Sequence, residues 1–145
     1  MKSAVRAIVI NDNKILVMHR NKFGHEYYTL PGGGIKSGED QMGALTRELN
    51  EETSVRVDSP KLVFTEDAGA PYGMQYVYLC DYQGGEPVLS PGSEEAKINA
   101  LGQNIYTPMW LPLEKLESVP FLSTKLRTAI NEAIKSGFPE TAQAV

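Results

Sequence analysis

Cysteine and histidine are scarce in this chain of 145 residues, which has one cysteine, Cys80, and two histidines, His19 and His25. A single cysteine cannot form an internal disulfide, and so few Cys and His side chains cannot assemble a multi-ligand zinc site. The chain also lacks any apolar run near the ~20 residues of a membrane span, and its N-terminus shows no targeting segment. These absences predict a soluble, cytoplasmic protein with no membrane partner.

Basic residues are also fewer than acidic residues in this chain. The chain has 14 Lys and Arg against 18 Asp and Glu, which gives a net charge of −4 at pH 7. Because a negatively charged protein does not attract polyanions, this balance argues against binding of a nucleic-acid polymer or an acidic membrane. The length and the 41% hydrophobic content suit a single core. We therefore predict one domain over residues 1–138, followed by a flexible C-terminal tail over residues 139–145.

Short β-branched runs between turn-forming residues predict that strands dominate the chain. The predicted strands cover residues 4–10, 14–18, 27–30, 55–57, 61–66, 75–82 and 105–111. Apolar residues at helical spacing predict two helices, over residues 40–53 and 124–136. The order of strands, helix, strands and helix favours a mixed β-sheet covered by helices, in the α/β or α+β class.

The first predicted helix carries a cluster of acidic residues. Glu48, Glu51 and Glu52 are spaced i, i+3 and i+4, so their carboxylates converge on one helix face. Like charges at this spacing call for a counter-charge, which a hard divalent cation such as Mg²⁺ would supply. The alternative is a solvated acidic face without a ligand. The upstream loop Gly32-Gly33-Gly34 favours a ligand, because glycine backbone can approach one without a Cβ clash.

This glycine loop does not match the common phosphate-binding loops. Glu39-Asp40 stand where a Walker loop requires Lys followed by Ser or Thr. Ser37 stands where the dinucleotide-binding fingerprint has its third glycine. The chemistry therefore has to be sought in the acidic helix and the loop together.

The pattern formed by this loop and helix resembles the signature box of the Nudix hydrolase family, in its MutT-like form. The matching positions are Gly33, Glu39, Arg47-Glu48-Leu49, Glu51-Glu52 and Val55. Ser54 is the one departure, because the box has glycine there. A serine in a left-handed conformation costs roughly 1 kcal/mol, which could change the turn after the helix without disturbing metal ligation. Segments 30–34 and 106–113 also look like the family, so the resemblance covers most of the chain.

The resemblance implies an α/β/α sandwich and a hydrolase that uses Mg²⁺, with Mn²⁺ as a substitute. Such an enzyme cleaves the pyrophosphate bond of a nucleoside diphosphate linked to a further group X. By position, Glu48 and Glu52 would be the principal metal ligands, and Gly32 would offer its main-chain carbonyl. Glu51 would be a further ligand or the group that deprotonates water.

The same resemblance assigns supporting roles. Glu39 would pair with Arg47 and brace the loop that contains Gly33 and Gly34 against the helix. An additional base can lie in a later loop in some members of the family. The candidates here are Glu66, Asp67, Glu94 and Glu95.

The substrate stays open at this stage. Tyr27, Tyr28 and Tyr72 could stack on a nucleobase, although an aromatic residue in a strand is more often part of the core. The compact length leans toward a nucleoside triphosphate pyrophosphohydrolase. The alternatives are a pyrophosphatase of ADP-ribose, nucleotide sugars or dinucleoside polyphosphates, and a nucleotide-binding regulatory module without turnover. In each case we expect a small-molecule nucleotide partner and a monomer or homodimer.

Overall fold

The computed structural model describes residues 2–145, which form eight strands and three α-helices. The strands are β1 (Ser3–Asn11), β2 (Lys14–Lys22), β3 (His25–Thr29), β4 (Gly32–Gly34), β5 (Arg56–Asp67), β6 (Met74–Gly84), β7 (Asn104–Pro112) and β8 (Gln143–Ala144). The helices are α1 (Gln41–Glu52), α2 (Glu94–Asn99) and α3 (Thr124–Ser136). A short 3-10 turn follows β7 at Leu113–Lys115.

The strands form one mixed sheet in the order β3-β2-β1-β6-β5-β8, with β4 beside β1 and β7 beside β2. Strand β1 lies at its centre and pairs in parallel with β6, whereas its pairing with β2 and β4 is antiparallel. The β1–β2 connection contains Asp12 and Asn13 at φ 53° and 59°. These angles suit the tight hairpin turn that the Asn-Asp-Asn sequence predicts.

Two hydrophobic clusters cover the two faces of the sheet. Ile8 of β1 belongs to the cluster that contains Ile130 of α3, whereas its neighbour Val9 belongs to the cluster that contains Leu45 of α1. Because successive side chains of a strand point to opposite faces, α1 and α3 pack on opposite sides of the sheet. The predicted three-layer α/β/α arrangement is confirmed. Within residues 2–145, no helix combines the length and the apolar character needed to cross a membrane.

Both long helices lie where the sequence places them. The side chain of Asp40 caps α1 by accepting a hydrogen bond from the Gly43 N–H at 2.7 Å. The Ser123 hydroxyl caps α3 by accepting from the Leu126 N–H at 3.1 Å. These caps satisfy N–H groups that the first helical turn leaves unpaired, which explains why the helices begin there.

Four expectations differ from the structure. The segment Gly32-Gly33-Gly34, expected to be a loop, is the short strand β4, which pairs with β1. The strands predicted at 55–57 and 61–66 form the single strand β5, whose pairing with β6 shifts register between Asp58 and Lys61. Helix α2 was not predicted. The tail expectation also needs correction, because β8 pairs in parallel with β5 and the Val145 N–H donates to the Thr65 carbonyl at 2.9 Å. A tail with these backbone partners is part of the sheet.

Candidate active site

Helix α1 presents two buried carboxylates one turn apart. The apolar side of α1 buries Ala44, Leu45 and Leu49, and Glu48 and Glu52 lie at 8% and 6% exposure on a neighbouring strip. Charged residues are rarely buried unless a partner compensates them. Their position therefore indicates a site rather than a solvated acidic face.

A third carboxylate comes from α2. Carboxylate oxygens of Glu48, Glu52 and Glu95 lie within 4.8 Å of one another. Glu95 reaches this point because the loop before α2 lies across the C-terminal end of α1. Its Ser90 N–H donates to the Glu51 carbonyl at 2.9 Å, and the Ser90 hydroxyl donates to the Asn50 carbonyl at 2.7 Å. These bonds satisfy carbonyls that the end of the helix leaves free.

The electrostatics of the three carboxylates favour a cation among them. Burial raises the pKa of Glu52 to about 8 and raises the pKa values of Glu48 and Glu95 above the ordinary range. The Gly32 N–H and the charge of Arg6 oppose the shift at Glu52. Oxygen ligands of this kind are those that Mg²⁺ and Mn²⁺ accept, so the donor set fits the expected metal.

Arg47 connects strand β4 to helix α1. Its guanidinium donates to both oxygens of Glu39, at 2.7 and 2.9 Å, and to the Gly34 carbonyl at 3.1 Å. It also donates to Glu48 at 2.9 Å and lies 3.4 Å from Glu51. The Arg47 hydrogen bonds lower the pKa of Glu39 to about 2. The pair expected between Glu39 and Arg47 is therefore present, and it fixes the orientation of Glu48.

Two glycines of β4 allow the loop to approach the carboxylates. Gly32 has φ 140°, and its N–H donates to Glu52 at 2.8 Å. A Cβ at Gly32 would overlap the Val5 carbonyl, and a Cβ at Gly33 would lie 2.7 Å from a carboxylate oxygen of Glu48. A larger residue at either position would displace the backbone or the acid. The Gly32 carbonyl, the expected metal ligand, accepts from Arg6 at 3.3 Å.

Ser54, the departure from the box, keeps the backbone conformation of the glycine that it replaces. Its φ is 59°, and its N–H donates to the Leu49 carbonyl at 3.0 Å, which ends the helix. Its hydroxyl donates to the Val88 carbonyl at 2.8 Å. The turn is therefore retained, and the serine adds a bond to the segment that leads to Glu95.

The carboxylates face a cavity of about 520 Å³, a size typical of small-ligand sites. Arg20 lies in its wall, with its guanidinium carbon 3.6 Å from the centre of the Tyr106 ring. Arg20 donates to Asn104 at 2.6 Å, and its buried Nε has no partner among the described residues. A cation in this wall can attract an anionic group of a ligand.

Some of the remaining predicted residues lie in the cavity wall and others lie outside it. Tyr27 and Tyr72 line the cavity, but Tyr28 does not, because it packs against the hydrophobic cluster that contains Ile130 of α3, with its ring 4.7 Å from that of His19. Glu51 faces Arg47 and is not part of the three-carboxylate cluster. Glu94 is exposed at the first turn of α2.

Two other acids were candidates for the additional base. The carboxylate of Asp67 accepts from the Gly69 N–H at 3.0 Å, within the turn after β5. Glu66 is buried in the cavity wall, apart from the three-carboxylate cluster.

Among the cavity residues that sequence reasoning missed are Arg20 and Tyr106, and it also missed the helix that positions Glu95. Arg20 and Tyr106 pair across β2 and β7, and no local pattern marks their contact. Helix α2 did carry a signal, since Ser93 followed by Glu94 and Glu95 is a typical helix start. The Ser93 hydroxyl accepts from the Ala96 N–H at 3.1 Å.

Comparison with known proteins gives a match to the NUDIX domain family over residues 1–132. NAD-capped RNA hydrolase NudC of Vibrio atlanticus is 27% identical over 126 residues, which are 87% of this chain and 43% of that protein. ADP-ribose pyrophosphatase of Methanocaldococcus jannaschii is 34% identical over 99 residues, which are 65% of this chain and 59% of that protein. The chain thus spans less than two thirds of the length of either relative.

A solved structure shows the same fold. A NUDIX hydrolase from Nitrosomonas europaea aligns with a TM-score of 0.72 at 16% identity, over 99% of this chain and 78% of that one.

Proposed function

We propose a function from the premise that this chain belongs to the NUDIX domain family of hydrolases, which act on phosphoric anhydride bonds. The proposed activity is that of a divalent-metal-dependent nucleoside triphosphate pyrophosphohydrolase. The observation that carries the proposal is the buried cluster of Glu48, Glu52 and Glu95 in the wall of a ligand-sized cavity. Water would attack one phosphorus and the anhydride bond would break. The products would be a nucleoside monophosphate and pyrophosphate.

Glu48, Glu52 and Glu95 would hold the ion, which we propose to be Mg²⁺ with Mn²⁺ as a substitute. A bound divalent cation neutralises charge on phosphate oxygens and lowers the pKa of a ligand water. Arg47 holds Glu48 in place through its 2.9 Å hydrogen bond. Gly33 lets the β4 backbone lie against Glu48, because a Cβ there would clash with the carboxylate.

Glu95 would hold the ion through one carboxylate oxygen, and its other oxygen is the proposed acceptor of the proton that the attacking water loses. Glu95 belongs to the carboxylate cluster, whereas Glu51 lies outside that cluster, 3.4 Å from Arg47. This choice gives Glu51 a supporting role at the helix surface. Replacing Glu95 with Gln should lower kcat more than replacing Glu51 with Gln.

Arg20 would bind phosphate oxygens on the side of the cavity that β2 and β7 form. Its stacking on Tyr106 and its bond to Asn104 hold the guanidinium in one orientation. Its positive charge in the cavity wall then attracts an anion. Arg20 would thus balance the charge of the acids around the polyphosphate.

The experiment is a panel of substrates incubated with the protein and Mg²⁺ or Mn²⁺, with phosphate measured before and after addition of a pyrophosphatase. Nucleoside triphosphates should be cleaved, and phosphate should appear only after pyrophosphatase is added. ADP-ribose, a nucleotide sugar, a dinucleoside polyphosphate and a short NAD-capped RNA test the activities that the relatives and the family suggest. Their cleavage yields phosphate esters and no pyrophosphate, so for these substrates phosphate is measured after addition of an alkaline phosphatase instead. If the protein cleaved only one of these compounds and no nucleoside triphosphate, that compound would be the substrate and the proposed substrate would be wrong.

Two controls test whether the measured turnover depends on the cavity and on a metal. Glu114→Gln changes an exposed glutamate outside the cavity and should leave turnover unchanged. A chelator should abolish turnover. Nucleotide binding without product from any substrate would support the regulatory alternative and contradict the proposed enzyme.

A further inference from the structure

The cavity contains a further buried acid, Glu66, that the proposed chemistry does not use. Glu66 lies at the end of β5, is 8% exposed and lines the cavity. Its Oε2 accepts from the Ser123 hydroxyl at 2.6 Å, and Ser123 is itself fixed as the N-cap of α3. We find no donor to Oε1 among residues 2–145. Glu66 therefore has a fixed orientation and an unused acceptor.

Glu66 has to face a part of the ligand that carries hydrogen-bond donors. It is not part of the cluster formed by Glu48, Glu52 and Glu95, so it is not placed to share their ion. A carboxylate against a polyphosphate would repel it, since both are anions. What an ionised carboxylate can bind without a cation is N–H or O–H groups.

The walls beside Glu66 suit a flat apolar ring. Tyr72 and Leu122 line the cavity, yet they are 68% and 57% exposed. Gln75, which pairs with Glu66 across β5 and β6, donates to the Tyr72 carbonyl at 3.3 Å and accepts from Arg6 at 3.2 Å. This network holds the turn that carries Tyr72. A ring beside Tyr72 and Leu122 would cover apolar surface that water now contacts.

We infer that Glu66 reads the nucleobase of the substrate and favours guanine, an inference that rests on the proposed function. Guanine presents two neighbouring donors, its N1–H and its 2-amino group, to a carboxylate. Adenine presents an amino group beside an acceptor nitrogen, and the N–H of uracil lies between two carbonyl acceptors that an acid would repel. Because each carboxylate oxygen has two acceptor positions, Oε2 can keep Ser123 while it binds the base.

The test compares kcat/KM for GTP, ATP and UTP between the wild type and Glu66→Gln in the presence of Mg²⁺. The amide keeps the shape of the acid but presents donors where guanine also has donors. We expect the wild type to prefer GTP, and the GTP-to-UTP ratio to fall about tenfold or more in the variant, the size expected for a lost two-bond base contact. A wild type without preference for GTP, or an unchanged ratio, would overturn the inference.

A binding measurement separates this inference from the proposed enzyme. Calorimetry of GMP and UMP without metal should show tighter binding of GMP to the wild type and loss of that difference in Glu66→Gln. If no nucleotide is hydrolysed, the enzyme proposal fails, and equal affinities for the two monophosphates would still refute the base assignment.

A second substitution of Glu66 covers the case in which Glu66→Gln does not fold, and a control variant completes the test. Should Glu66→Gln not fold, Glu66→Asp keeps the charge but withdraws it by one methylene, and the same loss of GMP preference is expected. Glu114→Gln is the matched control and should retain the wild-type GTP-to-UTP ratio.

Discussion

Replacing Glu52 with Gln should separate stability from activity. The side chain is 6% exposed, accepts from the Gly32 N–H at 2.8 Å and lies in the cluster with Glu48 and Glu95. Glutamine keeps the shape and an acceptor oxygen but removes the charge. The bond to Gly32 becomes a neutral one, which costs about 1 kcal/mol.

Glu52→Gln should also gain stability relative to the metal-free wild type, and this gain depends on pH. Burial raises the folded-state pKa of Glu52 to about 8, so the wild type without metal loses stability as the pH rises toward and through that value. The amide has no charge to bury. We therefore expect Glu52→Gln to have the higher metal-free Tm at pH values above about 8.

Activity should change in the opposite direction. Loss of one of three metal ligands should lower kcat at least ~100-fold, which corresponds to about 3 kcal/mol. The assays are thermal unfolding without metal and triphosphate turnover at saturating Mg²⁺, with Glu114→Gln as the matched control. Near-normal turnover, or a Mg²⁺-induced rise in Tm equal to that of the wild type, would refute the assignment of Glu52.

Other predictions follow from the contacts around the cluster. Arg47→Ala should lower both Tm and kcat because Glu39 and Glu48 lose their partner, and an effect on kcat alone would contradict a bracing role. Ser54→Ala should destabilise the protein by about 1 kcal/mol, since it removes the bond to Val88 and keeps the positive φ. Ser54→Gly should be nearly neutral, because relief of that φ offsets the lost bond, and denaturant unfolding of both variants checks this. The Tm of the metal-free wild type should fall as the pH rises from about 5 to about 8, because the pKa of Glu52 is raised in the folded state. A Tm that rises over this range would contradict the argument that burial raises that pKa.

The acidic helix was predictable because its position depends on local sequence. Asp40 caps it, and its apolar residues recur at helical spacing, so the positions of Glu48 and Glu52 follow from 3.6 residues per turn. The contact between Glu39 and Arg47 followed from the resemblance. Both predictions concern residues within one short segment of the chain.

The other side of the site depends on contacts between distant segments. Helix α2 has only six residues, and its place depends on hydrogen bonds from Val88 and Ser90 to the end of α1. The sequence therefore could not distinguish Glu95 from its neighbour Glu94 as the additional base. The two neighbouring tyrosines of β3 point to opposite faces, as strand geometry requires, but the sequence does not say which face meets the cavity. Tyr27 lines it and Tyr28 does not.

Anomalous diffraction from crystals soaked in Mn²⁺ tests most directly whether the three acids form one metal site. The account predicts a peak with carboxylate oxygens of Glu48, Glu52 and Glu95 as ligands, at about 2.1 Å or slightly more. Absence of a peak, or an ion held by Glu51 without Glu95, would contradict it.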